Sequence, residues 1–211
     1  LLQVQGPGIA YEALLEPHQK PWLLLLDASP EGPQANGLRA YMARDLEWLA
    51  VRPVTEVLRY HATSYPQFRH GPLTATRELR FGNSLPAGSN PRTKALAAQM
   101  RAAPGVAGGG TQALVDAALA RLRTGGYEYT LDPGVYGEHT ADEFWFDRKA
   151  GFCEHIASAF VVLMRAAEVP ARIVTGYQGR ERNPIDGYWT VRQSDAHAWA
   201  EVWIEGRGWV R

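Results

Sequence analysis

GFCEHIASAFVVLMRAA (151–167) is the stretch that decides the fold. It holds the only cysteine of the 211 residues, Cys153, where a loop gives way to an amphipathic run. Ile156, Phe160, Leu163, Met164 and Ala167 recur at helical spacing, which predicts a core-anchored helix with Cys153 in its first turn. Gly151 lets the preceding backbone bend or approach a neighbour closely. Val169-Pro170 closes the helix, since proline cannot continue it. His197 follows 44 residues after the cysteine, in QSDAHAWAEVW (193–203). That segment alternates as a strand does. His197, Trp199, Glu201 and Trp203 share one face; Ala198, Ala200, Val202 and Ile204 share the other.

A thiol at a helix start and a strand histidine suit nucleophilic catalysis. The thiolate is the reactive form, and an ordinary cysteine is only a few per cent thiolate at neutral pH. Helix-start N–H groups and a nearby imidazolium both favour the anion. A histidine beside the thiol can take its proton and return it to a leaving amine. A lone cysteine is more often a small buried hydrophobe, so the pair, and not Cys153 alone, carries the expectation. The Cys153 backbone N–H is the default oxyanion donor. Trp145 and Gln193 are side-chain alternatives that read rather as structural. His155 is turned away from the thiol by helical geometry and reads as structural or solvent-facing. His18, His61, His70 and His139 lack a chemical context and are expected at the surface. Trp199, Trp203 and Trp209 read as core.

Composition narrows the partners. Lysine plus arginine number 22, as do aspartate plus glutamate, so the net charge is zero. No basic field exists to hold phosphates, which argues against nucleic acid. The longest apolar run, WLLLL (22–26), falls far short of the roughly 20 residues of a membrane span. A single cysteine excludes an internal disulfide and a cysteine-based zinc site. The acids Asp132, Glu138, Asp142, Glu143 and Asp147 lack the alternation of a calcium loop, and neither a metal nor a cofactor is expected. The chain starts without methionine and stops inside a strand-like segment, so a longer parent protein is expected.

Texture divides the sequence in two. Residues 1–85 read as an all-β domain, an incomplete sandwich with strands at Trp22–Asp27, Leu46–Arg52, Glu56–Tyr65 and Arg77–Phe81; a short helix over 41–50 is the alternative for the second. SLPAGSNP (84–91) reads as the linker. In 86–211, helices are expected at Thr93–Ala102 and Gln112–Arg123, the second capped by Thr111. Residues 124–151 are expected to be mostly loop. Strands follow at Ala171–Gln178, Gly187–Arg192 and Ala198–Ile204, with Trp209 opening another after the EGRG turn.

GFCEHIASAFVVLMRAAEVPARIVTGYQG (151–179) followed by VRQSDAHAWAEVWIEGRGWVR (191–211) resembles the transglutaminase-like superfamily, in particular its bacterial membrane proteins of the TgpA type. The resemblance covers about residues 91–211. EPHQKPWLLLLD (16–27) and RPVTEVLRYHATSY (52–65) resemble the region before that core. It implies an α+β fold, a papain-like core with the nucleophile helix packed on an antiparallel sheet, behind a small β-sandwich-like domain. Cys153 would be the nucleophile and His197 the base of a protein-glutamine gamma-glutamyltransferase working through a thioester. Substrates would be a protein or peptide carrying glutamine or an amide, with an amine or water as acceptor. The domain would face the periplasm, anchored to the inner membrane by segments outside this stretch. Alternatives are an amide hydrolase or cysteine protease on the same core, or a non-catalytic binding module. The family completes its triad with an aspartate expected about two residues past Arg211. Within the chain, Asp195 and Glu201 would lie about 7 and 13 Å from His197 along one strand, too far to orient its ring.

Overall fold

Two runs, IAYEALL (9–15) and LRYHATS (58–64), pair over their whole length in the computed structural model, which describes residues 1–211 apart from the side chain of Phe81. They are β2 (Ile9–Leu15) and β6 (Leu58–Ser64), antiparallel from Ile9↔Ser64 to Leu15↔Leu58. β3 (Trp22–Leu23), β4 (Ala40–Met42) and β5 (Trp48–Ala50) make a second sheet in the order β3-β5-β4. β1 (Leu2–Gln5) pairs with β7 (Gln67–His70). Leu15, Tyr60 and Ala62 from the first sheet meet Leu23, Ala50 and Val54 in one apolar core. The phenol of Tyr60 is 1% exposed and donates to the Leu24 carbonyl. Burial pushes its pKa upward.

Contacts divide the chain into Leu1–Gly71 and Pro72–Arg211. Arg77–Phe81, expected as a strand, is instead a short helix, α1, in the second unit. The Thr76 hydroxyl caps it by accepting from the Leu79 N–H at 3.3 Å, a local bond that outweighs the weak strand pattern. The second strand shrinks to Trp48–Ala50 and no helix forms over 41–50, where Leu46 takes φ 66°. Of the histidines expected at the surface, His70 is buried.

The second unit is built around α5 (Cys153–Ala166). Its Leu163 and Met164 are fully buried, and Ala157, Ala159, Phe160 and Val161 nearly so. Each large apolar side chain on this face contributes about 1.5–3 kcal/mol on burial. α2 (Pro91–Ala102) supplies Leu96 and Ala97 to the same core, and α3 (Gly110–Thr124) supplies Leu114, Val115 and Ala118. The cap of α3 is Gly109 rather than Thr111, which lies inside the first turn. The stretch expected as loop is more ordered than its composition suggests. It contains the short pair β8 (Glu128–Tyr129) and β9 (Ala150–Gly151), a helical turn α4 (Thr140–Asp142), and a π-helix at Glu143–Arg148. The wider π turn places adjacent Phe144 and Trp145 both inside the core.

Two helix starts cap one another across this core. The Asn90 side-chain oxygen accepts the N–H groups of Ala141 (3.0 Å) and Asp142 (3.2 Å). In return the Asp142 carboxylate accepts the N–H groups of Arg92 (3.0 Å) and Thr93 (2.6 Å) and the Thr93 hydroxyl (2.6 Å). His139, expected at the surface without a role, accepts the Asn90 N–H through Nδ1 at 3.3 Å. Burial pushes the Asp142 carboxyl up; its bonds from Thr93 and Arg92 and the Arg92 charge outweigh this, and its pKa falls below the ordinary value. A depressed pKa stabilises the fold fully above about pH 4, and the contribution is lost as pH falls toward the folded value. Asp142→Ala is expected to cost about 1.5–3 kcal/mol at pH 7. Denaturant titration should find that the difference from the parent narrows in acid.

β10 (Ala171–Tyr177), β13 (Ala196–Ile204) and β14 (Gly208–Val210) form an antiparallel sheet. α5 packs on β13 and β10. The Gly187–Arg192 strand contracts to β12 (Trp189–Thr190), which pairs with β11 (Glu181–Arg182) in a small hairpin between β10 and β13.

Candidate active site

The helix that carries Cys153 starts without a side-chain cap. Its N-cap residue is Phe152, which offers no acceptor. The first N–H groups of α5 thus keep their capacity to bind an anion. Cys153 is a half-buried free thiol at the first helical position.

The segment before it is fixed from several sides. The Thr130 N–H donates to the Gly151 carbonyl at 3.0 Å, and the Tyr136 hydroxyl to the Ala150 carbonyl at 2.6 Å. Gly151 is needed for close approach: a Cβ there would stand 2.6 Å from the His155 Cβ. The His155 ring packs on Phe152 (4.5 Å between centroids) and on Tyr136 (4.6 Å). His155 therefore braces the nucleophile turn, in line with its structural reading.

Topology brings the two candidate catalytic residues to one end of the unit. The turn after α5 is short and tied, with Val169 N–H bonded to Met164 and the Arg165 Nε donating to the Ala171 carbonyl. The C-terminus of α5 hence sits where β10 begins. At 14 residues, α5 is about 21 Å long, close to the length of the seven-residue β10. The Cys153 end of the helix thus lies toward the far end of β10, where Gly176 pairs with His197. No hydrogen bond joins the thiol to the imidazole among the described residues. Catalytic hydrogen bonds are often long in a free enzyme and tighten with substrate.

His197 is half-buried, with Trp199 stacked beside it at 6.5 Å. Asp195 is not on the histidine strand but in a 3-10 turn, Gln193–Asp195, where its carboxylate accepts the Arg192 N–H at 2.7 Å. Glu201 is ion-paired with Arg172 at 2.8 Å. Each acid is therefore engaged by a partner other than His197. Trp145 is fully buried and its indole N–H donates to the Ala159 carbonyl at 3.0 Å, which leaves it no donor for an oxyanion. Gln193 is exposed, and its Oε1 accepts from the Tyr177 hydroxyl at 2.9 Å. Of the acids in the 132–147 stretch, Asp142 caps α2, Glu143 takes the Gly137 N–H and Arg148, and Asp147 pairs with Arg92. No group of three or more metal-ligating side chains gathers among the described residues. The Asn90–Asp142 exchange was not foreseeable from sequence, because the partners lie about fifty positions apart.

The sequence model of the transglutaminase-like superfamily matches residues 95–211, more than half of the chain. The chain belongs to the transglutaminase-like superfamily. Residues 2–70 match the model of the TgpA N-terminal domain. A protein-glutamine gamma-glutamyltransferase of Pseudomonas aeruginosa is 38% identical over 99% of this chain, which spans 30% of that relative's length. The crystal structure of the periplasmic domain of TgpA from the same organism superposes with a TM-score of 0.88 at 37% identity, over 99% of this chain and 70% of that one. Its ethylmercury-bound form gives 0.89 at 37% identity, over 100% and 73%. The transglutaminase-like fold of this chain is thus α+β, with helices packed on antiparallel strands. No helix among the described residues is long and apolar enough to cross a membrane.

Proposed function

We propose that the chain transfers an acyl group from a glutamine carboxamide to an amine through Cys153, with His197 as general base and acid. The observation that carries this reading is the uncapped helix start at Cys153, and the run of α5 back along β10 supports a place for His197 at the same end. In the first half-reaction the thiol proton passes to His197 and sulfur attacks the carboxamide carbon. The Cys153 N–H and its neighbours on α5 steady the oxyanion. Collapse breaks the C–N bond, the imidazolium protonates the departing ammonia, and a thioester remains. An incoming amine loses its proton to His197, attacks the thioester and releases the thiol.

The orienting acid is assigned to the continuation of β14. Val210 pairs with Val202 and Gly208 with Ile204, so the second position past Arg211 would face Trp199. Trp199 shares a sheet face with His197, so an acid at that position would stand on the histidine's face from the neighbouring strand. By likeness to the Pseudomonas protein, the domain works in the periplasm on the glutamine groups of proteins or peptides.

The test uses a chain extended past Arg211, a glutamine-bearing acceptor protein and a tagged amine. Covalent incorporation that disappears in Cys153→Ala is the expected result. Released ammonia or new peptide fragments without incorporation would assign hydrolysis instead. A parent protein that does neither, while still binding its partner, would make the domain a binding module.

A further inference from the structure

We propose that two tryptophan–arginine stacks, one on Trp199 next to His197 and one on Trp189 in the β11–β12 hairpin, recognise acidic residues flanking the acyl-donor group of a protein or peptide substrate. This inference rests on the assignment of Cys153 and His197 as the reacting pair.

The segment leaving β10, residues 176–180, lies along both stacks. Gly176 pairs with His197, and a Cβ on Gly176 would stand 3.0 Å from the Trp199 ring. The absence of a side chain there lets the indole lie against the strand next to the imidazole. The Arg211 guanidinium sits over Trp199 at 4.4 Å and donates to the Gln178 side chain. Two positions further on, Arg180 sits over Trp189 at 4.6 Å. Trp189 is 56% exposed, so this second stack stands open to solvent.

An arginine lying flat on an indole keeps its charge and directs its in-plane N–H groups outward. The ring restricts the long side chain, which presents a planar fork matched to a carboxylate. Carboxylates near the stacks are already engaged. Glu181 pairs with Arg192 at 2.9 Å; Asp186 accepts from Asn183 and from the Tyr188 N–H; Asp195 accepts the Arg192 N–H. Among the described residues no carboxylate pairs with Arg180 or Arg211, and the acid assigned to the continuation of β14 is committed to His197. The Trp199 stack next to His197 and the Trp189 stack on the hairpin thus each offer a cation on an apolar platform. That combination favours acidic over neutral neighbours of the reacting glutamine and disfavours basic ones.

Binding can be read without turnover. The probes are three fluorescent peptides, each with one glutamine flanked by paired glutamates, alanines or lysines, titrated into the Cys153→Ala chain by anisotropy. The glutamate peptide is expected to bind about tenfold more tightly than the alanine peptide, with the lysine peptide weakest. The preference should shrink as salt rises. Arg180→Gln and Arg211→Gln should each weaken the glutamate peptide about threefold and leave the alanine peptide unchanged. Arg180→Glu should move the preference toward the lysine peptide. Equal affinity for all three peptides, or an acidic preference that survives both arginine changes, overturns the proposal. Because Cys153→Ala forms no thioester, such a failure would leave the nucleophile assignment standing. Loss of that assignment would show instead in the amine-incorporation assay.

Discussion

His197→Ala is expected to lower amine incorporation by about two to four orders of magnitude, the range over which a positioned general acid–base acts. The same imidazole serves both half-reactions, so neither formation nor resolution of the thioester escapes the change. The fold should survive, because His197 sits half-buried near the start of β13 while that strand meets the core through Ala200, Val202 and Ile204. Turnover of an extended chain, with its melting temperature as control, checks the prediction. A loss below tenfold would move the base elsewhere. His155→Ala is the informative companion. His155 packs on Phe152 and Tyr136 and fills the space left by Gly151. Its removal should loosen the nucleophile turn and lower stability without changing the pH profile of the residual activity.

Trp145→Ala is expected to cost about 3–5 kcal/mol, the range for emptying a large aromatic site in a core. Trp145 is fully buried, edge-on to Tyr127 at 5.4 Å and to Phe144 at 5.5 Å. Its indole N–H reaches the Ala159 carbonyl of α5, so the loss bears directly on the helix that presents Cys153. Trp145→Phe separates the two contributions. It retains most of the volume and loses the hydrogen bond, worth about 1 kcal/mol. Denaturant unfolding followed on the second unit measures both variants. If Trp145→Phe lowered kcat per folded molecule a hundredfold while barely moving stability, the indole would have to act on the oxyanion, against its bond to Ala159.

The nucleophile helix was legible because its burial face repeats at 3.6 residues over about three turns, from Ile156 to Ala167. β13 was legible through its strict alternation, although its start was placed two residues late. The first unit was harder. β3 has two residues and β4 and β5 three each, too short for any period to register. β2 pairs over seven residues yet carries mostly exposed or half-exposed side chains, so its pattern gave no signal. Arg77–Phe81 was misread because a helix of five residues depends on its Thr76 cap more than on its composition. The acids of 132–147 gave no sign in the sequence of what they bind within the fold. The partners of Asp142 and Asp147, Arg92 and Thr93, come from a distant helix start, and that proximity exists only in the folded chain.

The exchange between Asn90 and Asp142 bears on how this unit assembles. Neither helix start can satisfy its own N–H groups with its own cap side chain; each waits for the other. About fifty residues, including all of α3, must be closed into a loop before either bond forms, and loop closure of that length is an entropic cost met at one moment. Segments 90–102 and 139–148 are therefore expected to gain protection from hydrogen exchange together, as one cooperative block. The nucleophile turn follows that block by only a few residues, so the thiol should reach its final surroundings in the same step that latches the two helices.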